Sequence, residues 1–196
     1  MPRAHRILQG EFPYHVTCRS INRVDFTISI ENLWGFTSDL LLFCTYAFKI
    51  EIHAFVLMAN HYHMVLKTPE ANLDRFMNYF NRELSREIGM QTGRINQKFG
   101  ARYYSSIIRD LRYYHNVYKY VYRNPIEANI CRKVEDYRFS SLNFVLCKDN
   151  YRFPIFDSYF EFLEDHWPRL AWLNESTVAD DNIRIEKALK KQFFEL

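Results

Sequence analysis

His61 and His63 flank Tyr62 in the stretch NHYHMVLK at 60–67, which reads as a β-strand. A period of two puts both imidazoles on one face, a few ångströms apart. Two neutral imidazoles on a rigid strand make half of a site for a divalent ion. A partly buried histidine pair with no ligand role has the same spacing, so the pattern needs a partner. The segment LRYYHNVYKYVYRN at 111–124 supplies candidates. Tyr120 and Asn124 stand at i and i+4 of a helix and so share a face. The Asn124 amide oxygen could ligate a metal, and the Tyr120 phenol could act on whatever that metal polarises. The alternative for Tyr113, Tyr114, Tyr118, Tyr120 and Tyr122 is ordinary half-buried packing. Asn124-Pro125 by itself reads as a helix stop.

The elements that must position these groups follow an α+β order. FPYHVTCR at 12–19 alternates and carries β-formers, which predicts a strand. TSDLLLFCTYAF at 37–48 predicts a helix with Thr37 or Ser38 as its N-cap. Residues 50–58 and 60–67 predict two strands or one broken one, stopped by Thr68 and Pro69. Leu73, Phe76, Met77, Phe80, Leu84 and Ile88 form an apolar stripe at helical spacing over 72–88. Asn72 can cap that helix, and Gly89 is expected to close it. ARYYSSIIR at 101–109 predicts a strand, and Asp110 is expected to cap the tyrosine helix. The sum approaches a ferredoxin-like split βαβ sheet with an extra helix. After residue 147 the pattern loosens. Residues 155–172 and 182–194 predict further helical segments.

Composition narrows the function classes. With 48% hydrophobic residues the chain can bury a core, which excludes global disorder. The net charge of +3 points weakly to a polyanionic partner, and its distribution says more. Residues 1–23 carry Arg3, Arg6, Arg19 and Arg23 against Glu11 alone. Cys18, Cys44, Cys131 and Cys147 are scattered, with no zinc-ligand or disulfide spacing, so free thiols in a reducing compartment are expected. The start MPRAHRIL has no apolar signal-peptide region, and no run of about 20 apolar residues exists. A cytoplasmic protein without a membrane span is expected.

Several segments together resemble one family. FVLMANHYHMVLKTPEANLDRFM is similar to the core of bacterial single-tyrosine HUH transposases, and most similar to the REP-associated tyrosine transposases. MPRAHRI with YHVTCRSINR resembles their first strand. INQKFGARYYSSII resembles the loop and strand before the tyrosine helix. YKYVYRNPIEANI resembles that helix with its Asn-Pro end, and DYRFSSL the closing aromatic-Ser-Ser segment. The resemblance spans roughly residues 1–145. Ala59 stands where relatives often have Pro. Asn129 stands where Gly is usual, and Asn tolerates the left-handed turn required there.

The resemblance implies a ferredoxin-like antiparallel sheet flanked by helices, the HUH endonuclease architecture, over residues 1–147. Residues 148–196 would be a C-terminal extension. It implies His61, His63 and Asn124 as metal ligands for Mg²⁺ or Mn²⁺, although histidine ligands alone would also suit Zn²⁺. It implies Tyr120 as the nucleophile that breaks single-stranded DNA near a hairpin through a 5′-phosphotyrosine bond. Arg3, Arg6, Arg19, Arg23, Lys98 and Arg102 are the expected DNA contacts, with Tyr103 and Tyr104 as stacking platforms. A monomer is favoured. The competing reading is a non-catalytic nucleic-acid-binding module on a ferredoxin-like sheet, which leaves the histidine pair without a role.

Overall fold

The structure is a computed structural model that describes residues 6–93, 98–146, 152–156, 166–176 and 179–195. Arg3 and Cys147 lie outside the described residues. Alternating apolar residues build a four-stranded antiparallel sheet from β1 (Tyr14–Arg19), β2 (Glu51–Leu57), β3 (His61–Lys67) and β4 (Tyr104–Ile107). The strand order is β2-β3-β1-β4, as in a ferredoxin-like split βαβ. The 50–67 region forms a hairpin of two strands. Its turn is closed by the Met58 amide donating to the His61 carbonyl at 2.8 Å.

Between the strands run α1 (Ile30–Phe48) and α2 (Leu73–Thr92), and α3 (Leu111–Glu127) follows β4. Helix α1 begins seven residues before the expected Thr37. Ser29 caps it, accepting from the Asn32 amide at 3.2 Å, and buried Leu33 and Trp34 give the extra turns a core to pack on. Helix α2 runs through Gly89 and ends at Gly93, which adopts the left-handed conformation at φ 66°. Asp110 caps α3 as expected, accepting from the amides of Arg112 at 2.7 Å and Tyr113 at 3.4 Å. Pro125 does not stop α3, which continues to Glu127, and Asn129 takes the left-handed turn at φ 56°.

Period-two alternation splits the sheet between two cores. Tyr62, Met64 and Leu66 of β3 face α1 and α2, where they pack with Phe76, Phe80 and Leu84. Ala54, Val56 and Val65 face α3, where they pack with Tyr114, Val117 and Val121. Three short helices follow: α4 (Leu142–Val145), α5 (His166–Asn174) and α6 (Ala179–Ala188). Leu173 of α5, Ile185 and Ala188 of α6, and Leu189 and Phe194 beyond it all join the α3-side core.

Both sheet edges are covered, which blocks pairing with another chain. Beside β2, the Leu57 amide donates to the Phe139 carbonyl and the Ser141 amide to the Phe55 carbonyl. Beside β4, the Ile107 amide donates to the Gln192 carbonyl and the Phe194 amide to the Ile107 carbonyl, both at 2.9 Å. Cys18 and Cys44 are buried free thiols, and Cys131 is a half-buried one. No helix among the described residues is long and apolar enough to cross a membrane.

Candidate active site

The registers of β1 and β3 put Arg19 opposite His61 and Thr17 opposite His63. His61, His63, His15 and Arg19 therefore share the sheet face that α3 covers. The rings of His61 and His63 lie 5.1 Å apart. The Tyr120 ring stands 5.5 Å from His63 and nearly perpendicular to it, so α3 delivers its tyrosine to the histidine pair of the same chain. A cleft of about 360 Å³ opens here, lined by His15, Arg19, Arg23, His63, Tyr104 and Tyr120 among others.

Burial sets the protonation states. His61 is held down to about 4 by burial, with the Arg19 guanidinium adding to the effect. His63 is pushed well below the ordinary histidine value by burial, then by His15, His61 and Arg19. His15 is held down to about 3 by burial. All three rings are neutral at physiological pH. Burial raises the Tyr120 phenol to about 12, helped by the Glu186 carboxylate and opposed by Arg19. The resting tyrosine is a protonated phenol.

Hydrogen bonds aim the pair. The His61 Nδ1 lies 2.6 Å from the Asn60 amide oxygen, which can only accept, so Nδ1 carries the proton and Nε2 keeps its lone pair. The Asn60 amide nitrogen donates in turn to the Arg23 carbonyl at 2.7 Å, which fixes that orientation. The His63 Nδ1 lies 2.9 Å from His15 Nε2. Two neutral imidazoles, with Nε2 available on His61, fit a divalent cation of borderline softness. Among the described residues no group of three His, Cys, Asp or Glu side chains could hold a metal ion, so any third ligand would be of another type. Asn124 meets that requirement in kind. Its amide nitrogen donates to the Tyr120 carbonyl at 2.7 Å and the Val121 carbonyl at 3.4 Å, which leaves Oδ1 as the atom able to ligate.

The expected DNA contacts separate into three places. Arg19 and Arg23 are exposed and line the cleft. Arg6 lies 3.8 Å over the Tyr103 ring and donates to the Tyr103 carbonyl, so it is engaged away from the histidines. Lys98 and Arg102 line a larger groove of about 840 Å³ beside α2, on the other face of the sheet, with Arg82 and Arg86. Tyr103 is buried beneath Arg6, whereas Tyr104 is exposed at the cleft.

Two features were missed in the sequence. His15 lies against His63, and its only local signal is that it shares strand parity with Thr17 and Arg19. The second is the far wall of the cleft, which comes from the C-terminal extension through Glu186, Leu189 and Lys190.

A split βαβ sheet that presents a histidine pair to a tyrosine-bearing helix defines a class, the HUH endonuclease architecture. The chain belongs to the IS200-like transposase family, whose sequence model matches residues 10–124 and so takes in His61, His63, Tyr120 and Asn124. It is an enzyme of the DNA transposase kind. A solved structure of a REP-associated tyrosine transposase bound to a REP hairpin has the same fold. The TM-score is 0.61 at 18% identity, over 80% of this chain and 93% of the other. No curated protein matches the sequence.

Proposed function

We propose that this transposase cleaves and rejoins single-stranded DNA beside a hairpin through a covalent bond to Tyr120. The observation that carries this reading is the convergence of His63 and Tyr120, 5.5 Å apart, in a cleft also lined by Arg19 and Arg23. His61, His63 and Asn124 would hold Mg²⁺ or Mn²⁺, which when bound supplies positive charge to the non-bridging oxygens of the scissile phosphate. Arg19 adds a cation to the same cleft and opposes the burial that keeps the Tyr120 phenol protonated.

The Tyr120 oxygen attacks phosphorus. The O–P bond forms as the P–O3′ bond breaks, the phenol gives up its proton, and the departing 3′ oxygen takes one to become a hydroxyl. The 5′-phosphotyrosine keeps the bond energy, so a later 3′-hydroxyl can reverse the step and join strands. Residues 1–147 would carry this chemistry, and Glu186, Leu189 and Lys190 of the 148–196 extension wall the cleft. Tyrosine and histidines meet within one chain, which favours a monomer. Lys98 and Arg102 would hold the DNA backbone where it passes the α2 side, and Arg3 and Arg6 where it passes the N-terminal segment. The cytoplasm is the expected place of action. The solved structure of similar fold is bound to a REP hairpin, which supports a hairpin-bearing substrate.

The test is incubation of 5′- and 3′-labelled hairpin-bearing single strands with Mg²⁺ or Mn²⁺. A covalent adduct on the 3′-labelled piece, absent in Tyr120→Phe, is expected. Equal adduct from Tyr120→Phe would remove the nucleophile assignment. Tight binding of the strand without any adduct would favour the non-catalytic binding module.

A further inference from the structure

We propose that His15 is a positioning residue that sets the tautomer of His63, and so decides whether His63 can ligate a metal at all; this rests on the metal reading above. His15 is buried, and its Nε2 lies 2.9 Å from His63 Nδ1 in hydrogen-bond geometry. Both rings are pinned. His15 stacks on His63 with centroids 5.2 Å apart, and the Tyr120 ring closes over the pair at 6.2 Å from His15 and 5.5 Å from His63.

One proton sits between the two nitrogens, and it can belong to either. If His15 Nε2 holds it, His63 Nδ1 accepts, the remaining His63 proton is on Nε2, and the ring has no lone pair for a cation. If His63 Nδ1 holds it, His15 Nε2 accepts and His63 Nε2 is free to ligate. Ligation therefore requires His15 to carry its own proton on Nδ1. His61 has a neighbour that can only accept, the Asn60 amide oxygen, so its tautomer is already determined. His63 depends on its partner's choice. Outer partners of this kind orient a ligating imidazole and raise its basicity, and losing one typically weakens metal binding about 10- to 100-fold.

The backbone explains why this residue can reach. Thr17 pairs with His63 and His15 with Val65, so His15 and His63 are diagonal neighbours on one face of the β1–β3 ladder. A glutamine at position 15 can place an accepting amide oxygen near the histidine Nε2 position. Asparagine is one methylene shorter and falls short.

The experiment is calorimetric titration of Mn²⁺ into the full chain, its His15→Gln, His15→Asn and His15→Leu variants, and His63→Gln, each with its melting temperature. The expected result is near-native affinity in His15→Gln and a loss of about 10- to 100-fold in His15→Asn and His15→Leu. Gln and Asn have the same chemistry, so a difference between them at similar melting temperature reads the hydrogen bond and not the folding. If the native chain binds Mn²⁺ and all three variants bind equally well, the positioning role is wrong while the metal reading stands. Equal weakening in Gln and Asn would also overturn it, assigning the effect to ring packing. If the native chain binds no more Mn²⁺ than His63→Gln does, the metal reading itself fails and takes this role with it.

Discussion

Replacing Arg19 and Arg23 together by glutamine should flatten the salt dependence of single-stranded DNA binding by an amount that can be worked out in advance. Both guanidiniums are exposed and line the cleft that holds Tyr120 and His63, so each is placed to meet one phosphate. Each phosphate neutralised on a single strand contributes about −0.7 to the slope of log K against log salt, so the pair contributes about −1.4. Over a fourfold rise in salt, that difference is about sevenfold in affinity. The assay is fluorescence anisotropy of a hairpin-bearing strand at several salt concentrations, in a Tyr120→Phe background so that no strand is cut. Lys49→Gln is the control. Lys49 pairs with Glu70 at 2.6 Å and lies near the end of the β2–β3 hairpin where Glu51 meets Lys67, far along the strands from His61. An unchanged slope in the double variant, or the same change in Lys49→Gln, would refute the placement of the strand over this cleft.

Two stability predictions test the elements beneath the site. Asp110→Ala removes the oxygen that accepts from the Arg112 and Tyr113 amides, which should cost about 1 kcal/mol. For a chain of this size that lowers the melting temperature by about 2–4 °C, with most of it restored in Asp110→Ser; an unchanged melting point would mean the cap is idle. His53 is a second test, through pH. Burial, with Lys67 adding to it, holds its imidazole down to about 4, and its Nδ1 lies 3.0 Å from the Tyr114 hydroxyl. A lowered histidine value means the unfolded chain binds the proton more readily, so stability is complete above about 6.5 and falls as pH drops towards 4. From pH 7 to pH 4 the native chain should lose about 3 kcal/mol more than His53→Gln in denaturant titrations; parallel pH profiles would show that His53 is not the group responsible.

How much of this was legible in the sequence depends on whether the determinant is local. Period two placed His61 and His63 on one face, and i to i+4 spacing placed Tyr120 and Asn124 on one helix, because both follow from backbone geometry alone. Asp110 was legible as a cap for the same reason. The start of α1 was not, because Leu33 and Trp34 earn their helical turns by packing against a core that only the tertiary fold creates. Gly89 carried a stop signal that the helix ignores, since Ile88 is buried and the next turn can close at Gly93. His15 was invisible as a partner because strand register is a pairing between distant segments. That Lys98 and Arg102 line a different groove from Arg19 and Arg23 was not legible for a related reason. The 98–103 loop returns on the α2 side of the sheet while the end of β1 opens on the α3 side.

Register also explains why stability and site are bound together in this sheet. Each residue of β3 belongs either to the α1–α2 core or to the face below Tyr120, and no residue belongs to both. A slip of one residue would drive His61 and His63 into the packing of Phe76, Phe80 and Leu84 and bring Tyr62, Met64 and Leu66 out under the tyrosine helix. The slip would take the buried imidazoles away from Asn60 and His15 and set them unpaired among phenyl rings, and it would pull Tyr62 out of its aromatic packing, which rejects that register strongly. The β2 side needs a further device. The pairing shifts between Ile52 and Ala54, so His53 is an extra residue on β2. It lets His53 and Ala54 both face α3, with His53 against Tyr114, while Ile52 and Phe55 keep to the other core. The bulge bonds a β2 residue to Tyr114, and Tyr114 sits six residues before Tyr120 on the same helix. The sheet thus sets the position of α3 from β2 as well as presenting the histidines to it from β3.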